Sequence, residues 1–346
     1  MRLRLAMIGF GNVGQEFARL LLLKREWLRS RDITVEVVAI ATRTRGSLLS
    51  KDALDLDRAL RELKSRGMLT RYGAEVTGLS PLEIIERRAA DIMIELTPLN
   101  VETGQPALSH VQTALEIGMN VVTANKGPVA HAYDRLKALA DSRGVHFRFE
   151  GTVMDGTPVF SLVEKALPGC EVEAVAGVLN STCNFILTEM GRGRGMAEAL
   201  AKAQRRGVAE ADPSLDIDGW DAAAKITVLA NVLMGARSTP QRVERKGIRD
   251  ITSEAIRDAL AEGRKIKLVA RAERAGGGVK TSVQPELIGP DSPFWSVDGT
   301  SSALTLRTDL MGELTIIEAN PSLPQTAYAI FSDILFITEA VRRGTT

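Results

Sequence analysis

The sequence predicts an α/β protein: a doubly wound parallel sheet followed by a second domain of α+β character. Three observations carry this. Short apolar runs alternate with amphipathic helical stretches through the first half, a glycine-rich turn follows the first of those runs, and the rhythm breaks after Gly156.

Residues 3–8 form an apolar run that ends in glycines, as a buried strand does. Residues 15–28 carry Phe17, Leu20, Leu21 and Leu28 at helical spacing, and 35–40 is β-branched. Residues 54–63 read as a charged amphipathic helix and 91–96 as the next buried strand. A helix over about 105–117 stops at Gly118, and a strand follows at 120–123. Residues 133–142 read as a helix closed by Gly144, and 145–149 as a strand. Beyond Gly156, a helix over 158–167 stops at Pro168-Gly169, and 172–179 is strand-like. A long helical stretch follows, broken at 191–195, Gly207 and Gly219. Residues 279–283 and 304–307 are later strands, and Gly276–Gly278 marks a hairpin or loop. The domains expected are 1–151 and 152–324, with a helix over about 325–346 packing back on the first.

Composition narrows the function. Of 346 residues 45% are hydrophobic and 25% charged, and the formal net charge is +1 with the signs interspersed. That balance argues against a nucleic-acid partner. No apolar segment is long enough to span a bilayer. Cys170 and Cys183 are too few for a disulfide framework, which suits a reducing cytoplasm.

Gly9-Phe10-Gly11-Asn12-Val13-Gly14 fits G-x-G-x-x-G between a strand and a helix. The first glycine permits the turn, the second lets backbone amides approach a pyrophosphate, and the third lets helix and strand pack. A Rossmann-type dinucleotide site is the expectation. The second strand should end near Ala41, where an NAD-specific protein places an acid. Here Thr42, Arg43, Thr44 and Arg45 follow instead, which suits the 2′-phosphate of NADP, with NAD the lesser alternative. Thr97 and Pro98 follow a strand's carboxyl end, where the nicotinamide would lie, and Lys126 follows the next strand in the same crevice.

The densest chemistry is the block 210–225, in which Glu210, Asp212, Asp216, Asp218 and Asp221 surround Lys225. Asp221 and Lys225 are four apart, so a helix starting near Asp218 puts both on one face. Five carboxylates around one lysine suit a substrate ammonium beside a proton donor. A solvated salt bridge would have the same spacing.

Taken together, these residues resemble homoserine dehydrogenase over nearly the whole chain. The pieces are the glycine turn, Glu95-Leu96-Thr97-Pro98, Val121-Val122-Thr123-Ala124-Asn125-Lys126, Ser181-Thr182-Cys183-Asn184-Phe185-Ile186-Leu187 and the 210–225 block. The resemblance implies a homodimer formed through the second domain's sheet. It also implies reversible NAD(P)-dependent reduction of L-aspartate 4-semialdehyde to L-homoserine, a step toward threonine, methionine and isoleucine. By position, Lys225 matches the family's proton-donating lysine and Lys126 a lysine contacting substrate and nicotinamide. Asp221 matches an acid holding substrate or its water, Glu210 a substrate-binding carboxylate with Asp216 in the same block, and Gly207 a glycine near the cofactor. A sodium-type ion is implied at Glu150 and the carbonyls of Val153, Asp155 and Thr157. The chain departs from the family where 318–324 lacks glycine, and where Ser181 stands in place of a usual glycine. The catalytic unit already accounts for the chain up to Val341, so no threonine-binding regulatory module is expected.

In the expected chemistry, hydride reaches the carbonyl carbon and a lysine protonates the developing alkoxide, an effect typically worth about 10²–10⁴-fold. Lys126 and Lys225 would converge there, each lowering the other's pKa. Glu210 and Asp216 would anchor the ammonium of an amino-acid substrate. Two rivals use the same residues. One is a phosphorylating aldehyde dehydrogenase with Cys183 as nucleophile, its pKa lowered at a helix start. The other is a dinucleotide-sensing protein without catalysis. The three histidines, His110, His131 and His146, are expected to be structural or at the surface.

Overall fold

The computed structural model describes residues 1–73 and 75–344. The chain divides into two compact units, Met1–Pro158 with Ser322–Thr346, and Val159–Pro321. The first unit contains β1 (Arg2–Ile8), α1 (Asn12–Arg29), β2 (Thr34–Ala41), β3 (Ser47–Leu49), α2 (Leu56–Arg66), β4 (Val76–Thr77), α3 (Pro81–Glu86), β5 (Ile92–Glu95), α4 (Ala107–Glu116), β6 (Asn120–Thr123), α5 (Lys126–Arg143) and β7 (Phe147–Arg148). Its sheet runs β4-β3-β2-β1-β5-β6-β7, parallel from β2 through β7. The order reverses between β1 and β5, and ligands of open α/β sheets bind outside the carboxyl ends at such a point. Two features differ from the sequence expectation. Strands β3 and β4 extend the sheet in antiparallel fashion; at three and two residues they are too short to show a periodicity. Helix α5 starts at Lys126, seven residues before the expected 133, because Asn125 caps it. Gly127 and Pro128 look like breakers, yet proline in a first turn has no intrahelical N–H bond to lose.

The second unit contains α6 (Val159–Ala166), β8 (Val172–Val178), α7 (Ser181–Gly191), α8 (Met196–Arg205), α9 (Ser214–Ile217), α10 (Trp220–Met234), β9 (Glu244–Arg245), α11 (Ser253–Ala261), β10 (Lys265–Ala275), β11 (Gly278–Ile288), β12 (Ser302–Thr308) and β13 (Gly312–Glu318). Its sheet runs β13-β12-β8-β10-β11-β9, antiparallel apart from the β9–β11 edge. The β10–β11 hairpin turns through Gly276 and Gly277 at φ of 59° and 80°, a conformation in which side chains are strained. Helices α7 and α10 lie against the sheet. Helix α10 is buried nearly all round, from Ala222 to Ala230 and on to Met234, so Asp221 and Lys225 are its only titratable groups.

Helix α12 (Leu323–Arg343) belongs to the first unit and runs along α1, with Phe331 against Trp27 at 5.9 Å between ring centroids. Ser322 and Gln325 close a capping box at its start. In the glycine-free stretch before it, Asn320 takes φ of 48°. Asparagine is one of the few side chains that tolerates this left-handed conformation, so it fills the place of a glycine. Gly156 lies so close to α12 that a Cβ there would stand 2.3 Å from the Gln325 carbonyl oxygen. Among the described residues no helix is long and apolar enough to cross a membrane.

Candidate functional site

The glycine turn shows three different requirements. A Cβ on Gly9 would meet the Leu96 carbonyl carbon and oxygen at 2.6 Å, and φ there is 106°. A Cβ on Gly14 would stand 2.9 Å from the Gly9 oxygen. On Gly11 it would meet nothing within 4 Å. Packing therefore explains Gly9 and Gly14, whereas Gly11 leaves open space where a phosphate can approach the backbone. Helix α1 has neither a side-chain cap nor an acidic residue in its first turn, so its positive end faces outward beside Asn12 and Val13. Phe10 points inward and is buried. The Gly9 amide donates to Ala41 at 2.8 Å, which brings the end of β2 beside the turn. Immediately beyond, Thr42 Oγ1 donates to the Gly46 carbonyl at 2.7 Å and accepts from the Arg45 amide at 2.9 Å. That closes a small loop on which Arg43, Thr44 and Arg45 are exposed. The residues fit a dinucleotide.

At the carboxyl ends of β5 and β6, Asn125 joins the two loops. Its Nδ2 donates to the carbonyl oxygens of Thr97 at 2.9 Å and Pro98 at 3.3 Å, and its Oδ1 accepts from the Gly127 amide at 2.9 Å. Lys126 is therefore the first residue of a capped helix rather than part of a surface loop. Beneath the loops Glu95 is fully buried, with Oε2 2.7 Å from His110 Nδ1. Asn125 and Glu95 were not among the expected site residues, and His110 is buried, as a structural residue would be; an N-cap asparagine immediately before Lys126 was the available signal.

In the second unit Asn180 is the hub. It caps α7, with Oδ1 accepting from the Cys183 amide at 2.7 Å, while Nδ2 donates to Asp216 Oδ1 at 2.7 Å and Asp221 Oδ2 at 3.0 Å. Lys225 Nζ donates to the Leu179 carbonyl at 2.7 Å and pairs with Asp221 at 3.0 Å. Burial first, then the neighbouring Asp221, raises the pKa of Asp216 above the ordinary carboxylate value.

The expected ring of five carboxylates separates into smaller groups. Asp218 is held by Arg249 at 2.8 and 3.0 Å, and Asp212 accepts from Ser214 Oγ at 2.6 Å. Glu210 is exposed, as is Gly207 at φ of 69° just past α8. Asp216 and Asp221 are the two that share Asn180 beside Lys225. Cys183 also departs from expectation. Burial, with Asp216 and Asp221 close by, pushes its thiol well above the usual range, and its Sγ donates to the Asp216 carbonyl at 3.1 Å. The start of α7 does not offset that burial, and a buried thiol of this kind is a poor nucleophile.

The turn at 150–157 holds buried Glu150 in one turn of 3₁₀ helix. Met154 and Asp155 follow at φ of 54° and 49°, the Thr157 amide donates to the Met154 carbonyl at 2.8 Å, and Val153 is fully buried. Asp155 Oδ1 accepts from Thr326 at 2.9 Å, so its side chain is engaged within the unit. Among the described residues no group of three or more His, Cys, Asp or Glu side chains stands where a metal could sit. Asp333 is also buried here, its Oδ2 accepting from the Glu150 amide at 2.9 Å and its Oδ1 from Arg148 Nε at 3.1 Å, and Glu150 with the carbonyls of the tightly turned backbone are oxygen donors of the kind a hard cation takes.

A parallel sheet with this glycine turn, in a chain whose second unit carries a lysine–carboxylate cluster, defines a nicotinamide-dependent oxidoreductase. Comparison with known proteins makes the class specific. The homoserine dehydrogenase family model matches residues 158–335, and that of the homoserine dehydrogenase NAD-binding domain matches 9–150. The chain belongs to the homoserine dehydrogenase family. It is 37% identical over 343 residues to the NAD(+)-dependent homoserine dehydrogenase of Pseudomonas canavaninivorans, covering 98% of this chain and 97% of that one. It is 37% identical over 341 residues to the homoserine dehydrogenase of Methanocaldococcus jannaschii, covering 97% and 99%. A solved hyperthermophilic archaeal homoserine dehydrogenase in complex with NADPH matches with a TM-score of 0.83 and 32% identity, covering 98% of each chain.

Proposed function

We propose that the protein interconverts L-homoserine and L-aspartate 4-semialdehyde, with NADP preferred over NAD. Lys225 carries the assignment: it is a half-buried ammonium tethered by the Leu179 carbonyl and Asp221 on a helix with no other charged side chain. When bound, reduced nicotinamide would supply the hydride. Lys225 protonates the developing alkoxide, and the 3.0 Å pair with Asp221 keeps the ammonium aimed. Lys126 contacts the substrate and the nicotinamide, and Thr97 and Pro98 hold the nicotinamide end. Glu210 and Asp216 take the substrate ammonium, which fixes the aldehyde for attack. Gly9 through Gly14 seat the pyrophosphate, and Gly207 lies near the cofactor. Thr42 and Arg43 take the 2′-phosphate. Glu150 and the carbonyls of Val153, Asp155 and Thr157 would hold a sodium-type ion, which would steady the turn.

The cofactor preference rests on Arg43, exposed two residues after the end of β2. One relative is NAD(+)-dependent by name and a solved one is in complex with NADPH, so the position must be tested directly. NADPH oxidation with aspartate semialdehyde and NADP reduction with homoserine should both proceed. Arg43→Asp should raise KM for NADPH by about tenfold or more, the value of a charged hydrogen bond, and leave NADH nearly unchanged. Equal losses for both cofactors would show that Arg43 does not read the 2′-phosphate.

A further inference from the structure

The ends of β5 and β6 meet above a carboxylate that the chemistry just described does not use. Glu95 closes β5 with no exposed surface, and His110 on α4 is 3% exposed. A carboxylate can only accept, so His110 Nδ1 carries the proton across the 2.7 Å contact to Oε2. The other oxygen, Oε1, accepts from the Thr97 amide at 2.7 Å and from the Thr97 hydroxyl. Thr97 and Pro98 in turn present their carbonyls to Asn125 Nδ2, and Asn125 caps the helix that begins with Lys126. The Thr123 hydroxyl donates to the Glu95 carbonyl at 3.2 Å and accepts from the Asn125 amide at 2.9 Å, closing the network. Two loops are thus tied to one buried pair. A buried carboxylate carries a large desolvation cost unless every oxygen is satisfied, and a plain strand end needs no such group.

We infer that Glu95 and His110 are positioning residues for hydride transfer, holding the Thr97–Pro98 backbone and the start of α5 in the arrangement that the nicotinamide ring and Lys126 require. The inference rests on the assignment of Thr97 and Pro98 to the nicotinamide end. Neither residue of the pair touches substrate. Each acts through Thr97 and Asn125.

The substitutions that test it are chosen by shape. Glu95→Gln keeps the volume but offers one oxygen and one NH₂, so either Thr97 or His110 loses its acceptor. His110→Ala removes the donor. His110→Asn returns an N–H close to the Nδ1 position. Single-turnover hydride transfer from NADPH, NADPH affinity and bound-NADPH nicotinamide fluorescence are measured with melting temperature. Glu95→Gln and His110→Ala should slow hydride transfer by about tenfold or more, because sub-ångström misplacement of reacting groups is costly. NADPH affinity should stay within about twofold, since the glycine turn is untouched and each unit of 1.4 kcal/mol is tenfold. Asn at 110 should recover most of the rate that Ala loses. A loss of melting temperature with an unchanged hydride step, or Asn no better than Ala, overturns the inference; the two His110 variants decide it should Glu95→Gln fail to fold. If the wild-type protein does not reduce aspartate semialdehyde, the functional assignment fails separately. Nicotinamide fluorescence then decides the positioning role: a changed emission in His110→Ala, restored by Asn, supports it, and an unchanged emission overturns it.

Discussion

At the scale of single residues, two side chains compete for the chemistry: Lys225, which pairs with Asp221, and Cys183, whose thiol is buried. Lys225→Ala should lower kcat by at least about 10²-fold, the ordinary worth of a general acid, while KM for NADPH changes little. Cys183→Ser should keep most of the activity. A dead serine variant beside an active alanine variant would transfer the chemistry to the thiol. Asp216 gives a prediction with a sign. Its folded-state pKa lies above the ordinary carboxylate value, through burial and then Asp221. Between the unfolded and folded pKa values the native state binds more protons than the unfolded one, so stability falls as pH rises through that window. Asp216→Asn removes the titration. The variant should melt higher than wild type at pH 8, with the gain shrinking as pH is lowered toward 4, and its activity should drop. A gain that does not depend on pH would rule out the ionisation as its cause.

At the scale of elements, the sequence is legible where burial imposes a period. Strands β1, β2, β5 and β6 lie within a residue of their expected limits, because buried parallel strands read as continuous apolar runs. Strand β10 was not legible: Lys265-Ile266-Lys267-Leu268 and Arg271-Ala272-Glu273-Arg274 place charges where a core strand normally has apolar residues. Lys267 is buried all the same, satisfied by Asn184 at 2.9 Å and Asp298 at 2.8 Å, partners that lie far away in sequence. The candidate site divides in the same way. The glycine turn and the Asp221/Lys225 spacing are local and could be read directly, whereas Asn180 reaching Asp216 and Asp221, and Glu95 reaching His110, depend on folded geometry. The approach to α12 supplies a test at this scale. Asn320 sits at φ of 48° before the capping box. Asn320→Ala should cost about 1 kcal/mol for the left-handed conformation, and Asn320→Gly should be neutral or slightly stabilising, both read from denaturant midpoints. Equal effects from both would place the cost in the side chain's contacts, not in the backbone.

At the scale of the whole molecule, the sheet of the second unit has a face with the chemistry of a self-association surface. Helices α7 and α10 lie against this sheet. Cross-strand contacts place Arg271 with Glu286 at 2.7 Å, Arg307 with Glu273 at 3.0 Å and Thr305 with Thr315 at 2.8 Å. In register, Ala176 on the central strand β8 lies between Arg271 on β10 and Thr305 on β12. On the edge strand Ile317 is 51% exposed, and Leu310 and Met311 at the adjoining turn are 71% and 60% exposed. Such a face differs from an ordinary solvated one. Its charges are already paired, so covering them does not strand an unpaired ion, its centre is small enough for close approach, and its rim carries exposed apolar side chains. A two-fold axis would set this patch on its own copy, the commonest arrangement of homo-oligomers. The chain should therefore have twice its single-chain mass by light scattering at micromolar concentration. Ala176→Arg, which adds a long unpaired cation to the middle of the face, should shift it to the single-chain mass with the fold intact by circular dichroism. A wild-type protein at single-chain mass, or a dimer that Ala176→Arg leaves unchanged, would place the assembly surface elsewhere or remove it.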